Sequence, residues 1–121
     1  MKEHKQIANI LVDRGLAQFG DALLNFAFSI VLTKIHGSPR GTKIPDKVLA
    51  DAAVKAGLRK LLPTRVGRGD VANGFEALMA HVWLEKRLTL DEIVDCLNSE
   101  NIDASQNFVQ LAELALDKLR N

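Results

Sequence analysis

The chain has little of what a disulfide-bonded or membrane-spanning protein needs. Its 121 residues contain one cysteine, Cys96, which excludes an internal disulfide and a cysteine-rich zinc site. The charged N-terminus, MKEHKQIANILVDRG, has no apolar block of the kind found in signal peptides. The apolar stretch ALLNFAFSIVL is too short to cross a bilayer and contains Asn25. We therefore expect a cytoplasmic protein that makes no membrane contact.

The sequence also lacks β-strand patterns. No stretch alternates apolar and polar residues between turn signals, whereas Val, Ile and Phe recur at helical spacing. Apolar residues make up 47% of the chain, which is enough for one hydrophobic core. No internal repeat or linker suggests a second domain. The sequence therefore predicts an all-α fold of six or seven helices in one domain, residues 1–121.

The limits of these helices follow from capping and turn residues. Gly15 is predicted to separate the first two helices, Asp70 to cap the fifth element, and Thr89 with Glu92 to form a capping box. Asp103 or Ser105 should cap the last helix. The expected elements are helices at about 2–14, 16–35 and 46–56, a short turn at 58–62, and helices at about 70–87, after 89, and up to about 120.

A net charge of +1 hides an uneven distribution of charge. Residues 34–68 carry nine Lys and Arg against two Asp, while residues 69–121 carry four basic and ten acidic residues. The basic segment is one possible phosphate-binding surface. The other interpretation is a solvated face whose charges pair with the acidic C-terminal part.

Two helices carry an acid on a face that is otherwise apolar. Asp21 lies one turn before Asn25, and Glu76 lies three residues after Asn73 on the same side of its helix. Each helix also contains a glycine, which allows close approach of another backbone: Gly20 and Gly74. Oxygen ligands from facing helices build sites for hard cations such as Mg²⁺. Alternatively, either acid lies at the edge of its apolar stripe, partly solvated or paired with a lysine.

Three blocks of the sequence resemble the ribonuclease III family. LAQFGDALLN resembles the family signature that supplies catalytic carboxylates, and NGFEALMAHVWLE resembles its second acidic motif. Between them, RGTKIPDKVLADAAVKAGLRKLLP is similar to the segment that links the two motifs in the family. The resemblance covers about residues 14–88 and implies the helical endonuclease fold, in a compact, archaeal-type form without a double-stranded-RNA-binding domain.

The resemblance implies catalytic roles for Asp21 and Glu76. It also implies a weakly held Mg²⁺ or Mn²⁺ on Asp21, Glu76 and Asn73, with Gln18 and Asn25 in support. The resemblance also leads us to expect a glutamate four residues before Asp21 and an aspartate three residues before Glu76. These positions hold Ala17 and Asn73, so two of the family's carboxylates are replaced.

The family acts as a homodimer on double-stranded RNA, so we expect a homodimer that binds structured or double-stranded RNA. Arg40, Lys43, Arg65 and Arg68 would then contact phosphates. Two hypotheses follow: a metal-dependent endoribonuclease, or an inactive relative that keeps the fold and binds RNA. A third, a helical interaction protein without an RNA role, would leave the basic segment unexplained. The roles of His81 and Asp70 are left open.

Overall fold

The chain folds into six α-helices and one 3-10 helix. The computed structural model describes residues 2–100 and 103–121, and this part of the chain contains no β-strand. The 3-10 helix, Leu58–Leu61, lies between the third and fourth α-helices. The α-helices are α1 (Lys2–Leu11), α2 (Arg14–His36), α3 (Asp46–Lys55), α4 (Arg68–Leu84), α5 (Leu90–Leu97) and α6 (Ala104–Arg120). The predicted all-α class is therefore confirmed.

The central helix of the fold is α4. Ten of its 17 residues are buried, and it contacts α1, α2, α3, α6 and the 3-10 helix. A helix that is apolar on most sides is stable only when other helices surround it. Its most extensive contact is with α2, which also packs against α5. The two helices that carry Asp21 and Glu76 therefore lie side by side in the core.

The boundary between α1 and α2 differs from the prediction. The first helix ends at Leu11 rather than at residue 14, and α2 already includes Gly15. Asp13 explains the difference, because its Oδ1 accepts a hydrogen bond from the Leu16 backbone N–H at 2.9 Å. A side chain that satisfies a free amide at a helix start sets the boundary more strongly than one glycine does.

The limits predicted for α4 were also wrong. This helix begins at Arg68, and Asp70 lies in its first turn rather than at the cap. The Gly67 backbone N–H donates to the Asp70 carboxylate at 3.2 Å, so Asp70 stabilises the helix start from within. At the other end, α4 stops at Leu84, and Lys86 has left-handed backbone with a φ of 60°.

Other helix ends agree with the sequence. Thr89 and Glu92 form the predicted capping box, with reciprocal hydrogen bonds of 3.0 and 3.1 Å. Asp103 caps α6 by accepting from the Ser105 backbone N–H at 3.0 Å. Gly57 follows α3 with a φ of 89°, a conformation that favours glycine.

Among the described residues one helix, α2, is long and apolar enough to cross a membrane. Its most apolar 18-residue window has a mean hydropathy of 1.4, and 33% of that window is buried in the fold. Core helices pass the same test of length and composition. Here α2 contacts α4 and α5 and carries Asp21 in its first half.

Candidate metal and RNA site

The site begins with a close crossing of α2 and α4. Gly20 is buried, and a Cβ atom at this position would overlap the backbone carbonyl of Glu76. Only glycine permits this approach, because every other residue would push the two helices apart. The crossing explains why an apolar core helix contains a glycine, and it brings the next residue, Asp21, beside Glu76.

The carboxyl groups of Asp21 and Glu76 lie within hydrogen-bonding reach of each other. Their surroundings differ, since Glu76 is 3% exposed whereas 41% of the Asp21 side chain is exposed. Within the described structure, the second carboxyl oxygen of Glu76, Oε2, has no hydrogen-bond partner. A buried carboxyl oxygen without a partner is costly. This atom is therefore the feature of the pair that most needs a ligand.

The difference in burial separates the pKa values of the two acids. Burial, followed by the hydrogen bond and the charge of Asp21, raises the pKa of Glu76 to about 8. The pKa of Asp21 is lowered, mainly because its carboxylate accepts the hydrogen bond from Glu76 and secondarily because Lys43 is close. These opposite shifts favour a proton on Glu76 and a negative charge on Asp21.

Two further side chains hold Asp21 in place. The Lys43 ammonium lies 3.1 Å from Asp21 Oδ1, and Asn25 Nδ2 donates to the same oxygen at 3.1 Å. The Asn25 side-chain oxygen accepts from the Ile44 backbone N–H at 2.8 Å. Asn25 therefore links the carboxylate to the loop that carries Lys43. Its supporting role at a metal site is still a prediction.

A cavity of about 640 Å³ opens above the carboxyl pair. Its wall contains five acidic side chains, two basic ones and two neutral amides. They are Asp13, Asp21, Asp46, Asp70 and Glu76; Arg14 and Lys43; and Gln18 and Asn73. Gln18 and Asn73 are exposed, so both amides are free to meet a ligand in the cavity. The structure thus brings together Asp21, Glu76, Asn73 and Gln18 in one polar cavity.

Two acids of the cavity, Asp13 and Asp46, were not predicted as site residues from the sequence. Asp13 is the N-cap of α2, and Asp46 begins α3 directly after Pro45. Both lie at helix starts, where acidic residues are common for local reasons, so the sequence alone does not mark them as site residues. Asp46 acts on the site through its charge, which contributes to the raised pKa of Glu76.

The four basic residues expected to bind RNA are all exposed, and they do not all line one cavity. Lys43 lines the cavity with the carboxyl pair, whereas Arg40 lines a second groove beside Phe26 and Lys34. Arg65 and Arg68 are exposed around the start of α4 and line neither cavity. Arg65 has left-handed backbone, with a φ of 64°.

The residues present fit one hard cation rather than a cluster of ions. Among the described residues no group of three or more His, Cys, Asp or Glu side chains is arranged to hold a metal. Ala17, where the resemblance expects a carboxylate, is buried and lines the cavity. Mg²⁺ is nonetheless commonly held by one or two carboxylates with several waters. Asp21, the orphan oxygen of Glu76 and the Asn73 amide meet this requirement.

The fold and the site together define a class of protein. It is an all-helical domain that holds a carboxyl pair in an open polar cavity, at the crossing of two core helices. The family model for ribonuclease III matches residues 14–119. The chain therefore belongs to the ribonuclease III family. Comparison with curated proteins found no match. Family membership supports a ribonuclease III-like function in general and RNA as the class of substrate.

Proposed function

We propose that this protein hydrolyses phosphodiester bonds in structured or double-stranded RNA, with one Mg²⁺ or Mn²⁺ held weakly by its carboxyl pair. The observation that carries the proposal is the contact between Asp21 and Glu76 on the wall of an open cavity. Family membership over residues 14–119 supports RNA as the substrate.

The chain would hold the ion through Asp21, Glu76 and the side-chain oxygen of Asn73. A bound divalent cation supplies a hydroxide at neutral pH and neutralises charge on the phosphate. Gln18 lies three residues before Asp21 and would donate to a water on the ion. Asn25 keeps the Asp21 carboxylate turned toward the cavity, because it donates to Oδ1 at 3.1 Å. To hold the ion, Glu76 would release its proton to solvent.

The basic side chains of residues 34–68 would bind the phosphates of the duplex. A-form RNA presents phosphates and 2′-hydroxyls rather than a readable base sequence, so such contacts fit any duplex. Arg40, Lys43, Arg65 and Arg68 are all exposed. A homodimer would double this surface.

A second function, RNA binding without cleavage, has a specific observation in its favour. The buried Ala17 offers no carboxylate, and Lys43 already neutralises the ionised acid of the pair. Both features reduce the negative charge available for a divalent cation. A family member of this kind would keep the fold and the basic surface and act as a binding or structural module.

The deciding experiment is a cleavage assay on duplex RNA with Mg²⁺ or Mn²⁺. The wild-type protein should cut with at least one metal, and the double variant Asp21→Asn, Glu76→Gln should bind the RNA without cutting it. Asp51→Asn removes an exposed acid of α3 outside the cavity and serves as the control for a change of charge elsewhere. A wild-type protein that binds duplex RNA but never cuts, with either metal, would establish the second function instead.

A further inference from the structure

Lys43 is the cation that the fold itself supplies to the carboxyl pair. Its ammonium lies 3.1 Å from Asp21 Oδ1, but 70% of the lysine side chain is exposed. Lys43 and Asp21 therefore form an ion pair at the edge of the cavity. The two residues are 22 positions apart in sequence, and Lys43 belongs to the loop 37–45, which connects α2 to α3.

The backbone of this loop is fixed to α2 on both sides of Lys43. Ile44 N–H donates to Asn25 at 2.8 Å, and Thr42 N–H donates to Ser29 Oγ at 3.0 Å. One turn further along α2, the Arg40 N–H donates to Thr33 Oγ1 at 3.0 Å. The three acceptors follow each other at intervals of four residues, so one polar stripe of α2 holds the loop.

Lys43 therefore has a backbone that is held in place and a side chain that is largely exposed. The two backbone hydrogen bonds that flank Lys43 hold its Cα near the cavity, while its four-carbon side chain is largely in solvent. An exposed ion pair of this kind is weak, because water screens it and two side chains lose freedom in forming it. Lys43 can therefore leave Asp21 at little cost without any change in the loop.

We propose that Lys43 is an exchangeable internal cation, which neutralises Asp21 in the free protein and moves to an RNA phosphate when a divalent cation takes the carboxylate. The inference rests on the proposed function and deepens it, since it assigns a positioning role at the same site. Lys43 is close enough to compete with a divalent ion for Asp21 Oδ1, and the two positive charges repel each other. A phosphate of the duplex offers the displaced ammonium a new partner.

This exchange couples the two ligands. In the free protein Lys43 opposes the metal, and with RNA present it contributes to phosphate binding once the metal is bound. By linkage, the metal and the RNA should each strengthen binding of the other. A lysine that only stabilised the loop would give no such coupling, because it would stay on Asp21 in every state.

The first measurement is the affinity of the protein for Mn²⁺ in the absence of RNA. Electron paramagnetic resonance and calorimetry both report this binding. Lys43→Met should bind Mn²⁺ more tightly than wild type, by up to about fivefold, which is the size expected for an exposed ion pair. Lys43→Arg keeps the charge and should behave as wild type. Lys60→Met removes an exposed lysine of the 3-10 helix and should change nothing.

The second measurement is the affinity for duplex RNA as salt is varied, at low temperature with the RNA checked intact on a gel. In chelator, wild type and Lys43→Met should bind alike. With Mn²⁺, Lys43→Met should bind more weakly, and its plot of log affinity against log salt should be shallower by about one phosphate contact, roughly 0.9.

The outcomes separate the lysine inference from the proposed function. Equal Mn²⁺ affinity for wild type and Lys43→Met, with binding abolished in Asp21→Asn, overturns the exchange and leaves the metal site standing. Weaker Mn²⁺ binding by Lys43→Met also overturns the exchange, because the lysine would then assist the metal. Absence of Mn²⁺ binding by every variant, wild type included, overturns both.

Discussion

Gly20 of α2 lies against the backbone carbonyl of Glu76 in α4, at a distance that leaves no room for a side chain. The same contact sets the packing of the two core helices and the meeting of the two acids. Stability and the site therefore depend on one glycine. A substitution there has to move a helix, because the atom it meets is backbone rather than a flexible side chain.

Gly20→Ala should destabilise the protein strongly. Forcing extra volume into a packed core costs typically about 1–3 kcal/mol, and here the obstacle is rigid, so the loss should reach or exceed the upper end. The gain in helix propensity, about 1 kcal/mol, offsets only part of it. Urea unfolding followed by circular dichroism measures the change.

Gly15→Ala is the matched control, because Gly15 lies in the same helix and is exposed. Its nearest neighbour would be an Asp13 carboxylate oxygen at 3.4 Å, an acceptable contact for a new methyl group. This variant should be neutral or up to about 1 kcal/mol more stable. Equal stability of the two variants would contradict the role assigned to the helix crossing.

The free energy of unfolding of the metal-free protein should fall as pH rises from about 4.5 to about 8. Glu76 has a pKa of about 8 in the folded protein against an ordinary value of 4.5, so the folded state keeps a proton that the unfolded chain loses. The stabilisation is complete below the lower value and is lost as pH rises through the upper one. Each pKa unit corresponds to about 1.4 kcal/mol, so the total is at most a few kcal/mol.

Glu76→Gln isolates this effect, because glutamine keeps the size and a hydrogen-bond donor but does not titrate. Unfolding measured in chelator over this pH range should give a shallower slope for the variant than for wild type. The two proteins should have similar stability at low pH, and the variant should be the more stable at pH 8. Parallel slopes would mean that Glu76 does not carry the proton.

The sequence predicted the helices and the position of the acids better than it predicted their chemistry. Helical periodicity is a local property, so it placed Asp21 and Glu76 on core faces of two helices, and the structure brings these carboxyl groups into contact. The metal and catalytic roles of these residues are still predictions. The misplaced helix ends have local causes too. The carboxylates of Asp13 and Asp70 accept hydrogen bonds from backbone N–H groups at the starts of their helices, and these bonds, rather than the nearby glycines, set the boundaries.

The remaining features of the site depend on contacts between distant residues. Lys43 reaches Asp21 because three side chains of α2 hold the loop, and no spacing in the sequence reveals that arrangement. The proton on Glu76 follows from its burial, which is a property of the folded state. Composition marked residues 34–68 as basic but did not show that Lys43, rather than Arg40, Arg65 or Arg68, lines the cavity with the carboxyl pair.

We expect the protein to form a homodimer through the outer face of α2. Phe19 and Phe26 lie two turns apart on this helix and are 41% and 57% exposed, although large aromatic side chains are usually covered. Phe26→Glu should convert a dimer into a monomer, because the interface would have to bury a charge. Light scattering measures the mass directly.

The control is Val54→Glu, which places the same charge on an exposed apolar position of α3. This variant should keep the mass of wild type. A micromolar affinity, about 8 kcal/mol, is ordinary for specific association, so a specific dimer should persist at tens of micromolar protein. A wild-type protein that is monomeric at this concentration would argue against the dimer.

The last prediction concerns the three arginines that lie outside the cavity. If Arg40, Arg65 and Arg68 bind phosphates, their replacement by alanine should weaken binding to every duplex RNA to the same extent, because phosphate groups carry no base sequence. The plot of log affinity against log salt should become shallower by up to about 0.9 for each phosphate that is no longer neutralised. Stability should change little, since exposed charges contribute weakly to folding.

A triple variant Lys5→Ala, Lys118→Ala, Arg120→Ala removes the same charge outside residues 34–68 and should leave the slope nearly unchanged. An equal decrease of affinity in both triple variants would show that net charge, rather than this segment, attracts the RNA.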